Sequence, residues 1–496
     1  MPDSQRPPLP VLPLLLWETP PGLELILAQE GVPVHVVERP RPFAFEAGRF
    51  VLYDGRRVGR SQVRRCLDGR HVAIDVALLR EGEPTDPFAD LIDPGAGLRA
   101  WQVGPHRVAE RVAHVPRAAI RARLLGRLRD LLTRSGGVWA RLAAYPAPYR
   151  AAFNFRADLD EPYPEDYFAF ARARAPLDDC TTHFVSTRAY GESPDVLADL
   201  ARLDTQSHGH HHVVTRDGRP NRRNLERAHE ILVRAGITPT GFAAPEGRWN
   251  PGLDRAIAAM GYRYSSDFSL GHDDRPFFPV VDGRPGPVLQ VPIHPVCEGL
   301  FLDRGITDGR LMSAYFAEVV RRKLDAGEPA FVYGHPERRL AYYPEILARL
   351  AESIEGQPRV WRVTLTAFAA WWRWRSARRW SLVPKGPGVF EVQFEEWDTA
   401  YPLALEIQRG SHVATVRPER PWTRVELNSL AYERRLPRVD LPHPEAVRQP
   451  WTLRHALRHA LDWETVTPLA DLPADGVRAL LKRGLRRIRP GRRPSR

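Results

Sequence analysis

The chain of 496 residues is too long for one ordinary core, so about three domains are expected. A hydrophobic fraction of 43% beside 27% charged residues is that of a folded, soluble protein, and no apolar run reaches the length of a spanning helix. The net charge of +12 does not by itself mark a nucleic-acid binder: the segment KRGLRRIRPGRRPSR (482–496) carries eight cations and no acid, leaving +4 for the other 481 residues.

In chain order, residues 11–37 read strand, helix, strand: VLPLLLW, GLELILAQEG and VPVHVVE. Further strand-like runs follow at RFVLYDG and HVAIDVALL, which predicts a small α/β domain over 1–110. The apolar run at 11–17 is short, hemmed by prolines and without a basic leader, so it reads as a first strand rather than a signal peptide. RAAIRARLLGRLRDLLTRSG (117–136) has helical spacing and predicts a helical connector, 111–145, packed on a neighbouring domain.

From about residue 146 strands and helices alternate. YRAAFNFRADLD, CTTHFVST, DTQSH, PTGFAAP, YRYSSDFS and PAFVYGH are strand-like. SPDVLADLARL, NRRNLERAHEILVRAG, PGLDRAIAAMG and LMSAYFAEVVRRKLDAG are helical, the last three closing on Gly236, Gly261 and Gly327. Such alternation means parallel strands with crossover helices, with a barrel-like closure expected over 146–375. After WWRW (371–374), read as interface or core, the period changes to two, predicting a small antiparallel β domain over 381–440. A Pro-rich, partly helical segment, 441–496, then leads into the basic tail.

In parallel α/β architectures functional groups gather at the carboxyl ends of the strands. AAFNF runs out into RADLDEP, with Asp158 and Asp160; DTQ into SHGHHH; TGFAA into PEGRWN; YRYSS into Asp267; AFVYG into His335. His208 and His212 have the spacing that puts two imidazoles on one face of a helical turn, half of a zinc-type site that lacks a carboxylate. His210 and His211 read as solvated or outer groups. His294 reads as a core or surface histidine as readily as a pocket residue. The cysteines Cys66, Cys180 and Cys297 form no CxxC pair, which fits a reducing, cytoplasmic setting and argues against thiolate ligation.

The order Asp-x-Asp, His-x-x-x-His, Pro-x-Gly loop, Asp, late strand-end His resembles the polysaccharide deacetylases of the NodB-homology, carbohydrate esterase 4 type, over about 146–375. The resemblance implies a distorted (β/α) barrel and hydrolytic removal of an acetyl group from an N-acetylated sugar. It implies that Asp160, His208 and His212 bind a divalent metal, usually zinc, with Asp158 as general base and His335 as general acid. Asp267 is read equally as orienting His335 or capping a turn. The turn Pro245–Gly247 is expected to hold the oxyanion. Arg248 and Trp249 complete the substrate-side candidates, packing being the stronger reading for Trp249.

The sequence also departs from that pattern. Leu159 separates the two acids, and a second register, Asp160 as base and Glu161 as ligand, stays open. Ala243 stands where the loop arginine that orients the base is expected, leaving Arg156 and Arg248 as candidates for its place. Gly271 stands where a tryptophan is usual, and Val332 where a leucine is. The expected function is a metal-dependent de-N-acetylase acting in the cytoplasm on an N-acetylated sugar, glycoconjugate or polysaccharide precursor. The alternative is a non-catalytic carbohydrate- or assembly-binding protein on a degenerate barrel. The basic tail suits an anionic membrane surface or polymer, and no specific nucleic acid is expected.

Overall fold

A computed structural model describes residues 9–37, 48–436 and 444–447. The basic tail and the helical pieces expected near the C-terminus lie outside the described residues. No helix among the described residues is long and apolar enough to cross a membrane.

The N-terminal α/β expectation corresponds to a four-stranded parallel sheet in the order Val34–Val37, Leu14–Trp17, Phe50–Tyr53, Val72–Asp75. The strand drawn from VLPLLLW is wholly buried because it runs through the middle of that sheet. A hairpin, Ala96–Val103 with His106–Ala113, follows. Helix Arg117–Arg134 then buries Ile120, Leu124, Leu125, Leu128 and Leu132, the spacing its sequence shows.

The stretch expected as a purely helical connector also contains a strand. Trp139–Leu142 pairs antiparallel with Leu405–Arg409, at the edge of a sheet completed by His412–Val416 and Tyr432–Arg434. A second sheet holds Trp380–Gly386, Val389–Phe394 and Trp422–Glu426. The C-terminal β region is thus two sheets, one of which borrows its edge from before the barrel.

The barrel strands are β1 Ala151–Leu159, β2 Thr181–Val185, β3 Thr205–Ser207, β4 Gly241–Phe242, β5 Tyr264–Ser265, β6 Leu289–Gln290, β7 Pro329–Gly334 and β8 Val360–Arg362. All neighbours are parallel, in the order β6-β5-β4-β3-β2-β1-β7, with β8 beside the first residues of β1. The His294 N–H donates to the Phe331 carbonyl at 2.9 Å, bringing the chain after β6 back to β7. The Tyr333 hydroxyl adds a bond to the Pro295 carbonyl at 3.2 Å, and together these contacts close a distorted (β/α) barrel.

β1 is longer than AAFNF: it continues through Leu159, so Arg156 and Asp158 belong to the strand itself. The helices that cover the sheet start where the sequence caps them. Asp217 accepts from the Arg219 N–H at the start of Gly218–Arg234, and Asp308 from Arg310 and Leu311 at the start of Gly309–Asp325. Gly236 and Gly327 follow those helices at φ +81° and +68°, a left-handed cap that costs other residues more.

A buried ionic cluster ties the parts together. Glu30, ending helix Pro21–Glu30, pairs with Arg121 of the connector helix at 2.9 Å, with Arg275 of the barrel at 3.2 Å, and with Arg141. Arg121 also reaches Asp274 at 2.9 Å, and Arg275 reaches Glu328 at 3.0 Å. Trp371 and Trp372 are fully buried on helix Leu365–Ser376, and the Trp371 indole donates to the Ala144 carbonyl at 2.9 Å.

His183 on β2 packs edge-on against Phe170, and its Nε2 has no hydrogen-bond partner. Burial, aided by the nearby Arg174 charge, pushes its pKa down from 6.5 to about 3. The unfolded chain therefore takes up one more proton than the folded chain as pH falls from 6.5 toward 3. Folding stability falls over that window by about 1.4 kcal/mol per pH unit. His183→Phe is expected to remove this contribution, so that urea midpoints of variant and parent diverge as pH drops. Parallel midpoint curves would show that His183 carries no linkage.

Candidate metal centre

The interior face of β1 is a polar ladder. Phe155 packs outward on Phe170, and the period of two sends Asn154, Arg156 and Asp158 the other way, with Asp160 next in line just beyond the strand. Asn154 spends its amide on the Cys180 and Val363 carbonyls and on Thr182. Arg156 forks onto Asp158, Nε to Oδ1 at 2.7 Å and the second nitrogen to Oδ2 at 2.5 Å, and its third nitrogen donates to the Ser266 carbonyl. Burial alone would raise the Asp158 carboxyl, but the Arg156 charge and hydrogen bonds outweigh it and hold the group below its usual range. Of the two candidate arginines it is Arg156 that holds Asp158, whereas Arg248 turns to Glu246 at 2.7 Å.

Asp160 meets the two outer histidines. His208 Nε2 lies 3.2 Å from Oδ1, and His212 Nε2 lies 3.3 Å from Oδ2. Tetrahedral bonds of about 2.0–2.1 Å set donor atoms about 3.3 Å apart, so these separations suit a shared ion. Three further features fit one. Asp160 Oδ1 is buried yet accepts no hydrogen bond. The His208 Nδ1–H donates to the Ala243 carbonyl at 2.7 Å, which fixes the tautomer and leaves Nε2 free to ligate. The donors of Asp160, His208 and His212 all lie within 4.8 Å of one another. In the second register Glu161 would be a ligand, but it is Asp160 that stands between the imidazoles.

The two histidines do not share a helical turn, as their spacing suggested. Residues 208–217 form a loop, and Gly209 at φ +83° folds it back on itself. Asn224, on the following helix, accepts from the His210 and His211 N–H groups and donates to the His211 carbonyl, which pins the loop. The inner histidines point elsewhere: His210 Nδ1 lies 3.0 Å from the Thr187 hydroxyl, and His211 Nδ1 3.2 Å from Arg188.

His335, at the end of β7, places Nε2 3.6 Å from Asp160 Oδ2. Its orienting partner is Glu298, not Asp267. Glu298 Oε1 sits 2.7 Å from His335 Nδ1 and also accepts the His335 backbone N–H at 2.9 Å. Burial and the neighbouring Arg339 lower the imidazole pKa, but the Glu298 carboxylate outweighs them and holds it well above the usual value. Asp267 is engaged elsewhere: it accepts from the Ala244 N–H at 2.8 Å and from the Ser265 hydroxyl at 2.6 Å. With no cation paired to it, burial pushes its carboxyl up to about 6.

In the Pro245–Gly247 turn two backbone N–H groups are already engaged. The Gly247 N–H donates to the Ala244 carbonyl and the Arg248 N–H to that of Pro245, so neither is free for an oxyanion. The Trp249 backbone N–H donates to Ser269 and its ring packs with the apolar core. His294 lies in the interior between Asp273 and Tyr315.

Two acids escaped the sequence reading. Glu298 begins a short helix after VPIHPVC, and its only signal was one carboxylate inside an apolar run. Glu337, two residues past His335, takes the Tyr190 hydroxyl at 2.6 Å and is pushed by burial up to about 8, which keeps it protonated near neutrality.

No family model and no curated protein matches the chain. Its structural neighbours include polysaccharide deacetylases. One from Mycobacterium smegmatis assigned to that group shares 20% identity over 49% of this chain and 96% of its own, with a TM-score of 0.40. A family 4 carbohydrate esterase from Streptomyces lividans, in complex with acetate, shares 13% identity over 44% of this chain and 92% of its own, with a TM-score of 0.30. A CE4 family pseudoenzyme from Bacillus anthracis shares 12% identity over 45% of this chain and 66% of its own, with a TM-score of 0.33.

Removing a ligand separates the outer histidines from the inner ones. Asp160→Asn or His212→Ala is expected to weaken zinc binding by at least about 100-fold in a chelator competition, and His211→Ala to leave it unchanged. Equal effects of His211 and His212 would dissolve the assignment.

Proposed function

We propose that the chain is a metal-dependent hydrolase that removes the acetyl group from an N-acetylated carbohydrate. The observation that carries this reading is the meeting of Asp160, His208 and His212 between an arginine-held Asp158 and a glutamate-held His335. Asp160, His208 and His212 would hold the ion, and their two-nitrogen, one-oxygen donor set suits zinc. When bound, the ion supplies Lewis acidity and a water acidic enough to attack near neutral pH.

The chain's own groups then divide the proton work. Asp158, kept ionised by Arg156, accepts a proton from the attacking water. His335, kept protonated and aimed by Glu298, delivers a proton to the departing amine. The carbon–nitrogen bond breaks as the carbon–oxygen bond forms, giving acetate and a free amino sugar. An N-acetylated sugar, glycoconjugate or polysaccharide precursor is the proposed substrate.

One observation favours a second reading, a carbohydrate-binding protein without turnover. Both Asp158 oxygens are clasped by Arg156, and this lowers the basicity that proton abstraction needs. Acetate release from a panel of N-acetylated sugars, using zinc-loaded protein, decides between them. Turnover is expected, with Asp158→Asn reducing kcat by about 10²–10⁴-fold at unchanged metal content. Absence of acetate from every substrate would leave the binding-protein reading standing.

The Glu298 carboxylate also sets a pH dependence. The acid His335 must be protonated, so activity is lost as pH rises through its pKa, which Glu298 holds up. Glu298→Gln is expected to move the alkaline limb of the kcat profile to lower pH. An unmoved limb would detach Glu298 from the proton transfer.

A further inference from the structure

A cavity of about 1330 Å³ opens on the opposite side of the barrel from the candidate metal centre. Its walls are the connector helix Arg117–Arg134, the edge of the sheet that contains Trp139–Leu142, and the residues that enter the barrel strands. Arg150, Glu328 and Arg359 directly precede β1, β7 and β8. Asp158 and Asp160 lie at the far end of β1, roughly 25 Å away at the rise of an extended strand. None of the candidate metal ligands lines the cavity.

Its charge is strongly one-sided, with eleven arginines against five carboxylates. The carboxylates are already engaged: Glu30, Glu328 and Glu406 with Arg121, Arg141 and Arg275, Glu433 with Arg150, and Asp273 with Lys323 and His294. Arg359, Arg417, Arg434 and Arg435 have no ion pair among the described residues.

Those four arginines carry the site, and Arg117 lies buried in the wall behind them. Only 1% of its side chain is exposed, its nearest acid is Asp274 at 4.0 Å, and none of its three guanidinium nitrogens has a hydrogen-bond partner. The Phe277 ring covers one face at 4.0 Å, leaving the donor edges unanswered. Burial pushes Arg117 down to about 10. Arg117 thus keeps one acid at the limit of ion-pair distance, an acid it shares with Arg121, and no hydrogen bond, so a further anion nearby would be favourable.

We infer that this cavity is a binding site, separate from the metal centre, for a phosphorylated small molecule held through its phosphoryl oxygens. Guanidinium forks match the geometry of phosphate oxygens, and several unpaired forks around one volume call for a ligand with more than one negative charge.

Pyrophosphate tests the site on the full chain by calorimetry and thermal unfolding, with sodium chloride at matched ionic strength and glucose as controls. Saturable binding and a rise in Tm are expected with pyrophosphate alone. The double variant Arg434→Glu, Arg435→Glu is expected to weaken binding at least about tenfold, equivalent to about 1.4 kcal/mol. Arg117→Leu should weaken it likewise, and Asp160→Asn should leave it unchanged. If Arg117→Leu fails to fold, the exposed pair Arg434 and Arg435 carries the test alone. The inference is overturned by an affinity no better than about 1 mM, by a Tm rise that sodium chloride reproduces, by arginine variants that bind as the parent does, or by loss of binding in Asp160→Asn.

Discussion

Everything proposed for the barrel depends on how one strand resolves a conflict. The nine residues of β1 are all buried, yet three of the four on its inner face, Asn154, Arg156 and Asp158, are polar. A buried polar side chain is tolerable only when its hydrogen-bonding groups are met. Asn154 gives its amide N–H groups to carbonyls although its Oδ1 has no partner, Arg156 is met by Asp158 and the Ser266 carbonyl, and Asp158 by Arg156. The series runs out at Asp160, whose Oδ1 is left to the imidazoles. The candidate site begins where the strand's polar series meets the two imidazoles.

Position explains the contrast between the two inner aspartates. Asp158 and Asp267 are both fully buried, but a guanidinium faces one and only neutral donors face the other. The first is therefore held ionised and the second is pushed toward neutrality. His335 follows the same rule with the opposite sign, since a carboxylate at its back outweighs the cost of burial. Local partners, rather than depth alone, set which protons are available near Asp160.

Much of this was legible in the residues. Alternating apolar runs marked the barrel strands and their crossover helices, and the polar group after each strand marked the rim. His208 and His212 stood out by their spacing, and Asp160 through the resemblance of its motif to a known family. What stayed hidden depended on the path of the backbone. His208 and His212 have helical spacing, but the left-handed turn at Gly209 brings them together through a loop. Glu298 reaches His335 only because the chain after β6 crosses to β7, a contact between segments 37 residues apart. The edge strand Trp139–Leu142 pairs with a partner more than 260 residues later, which no local pattern announces.

The charged junction around Glu30 bears on how such a chain can be cut and joined. A fragment holding only the barrel would keep Arg275 and Asp274 but lose Glu30, Arg121 and Gln29, which now answer them. Stripping partners from buried ions costs about 3–5 kcal/mol for each pair broken. Recombination could therefore not lift this barrel out as a free-standing cassette. The barrel and its flanks must be inherited together, or the junction has to be rewritten in apolar residues before they can part.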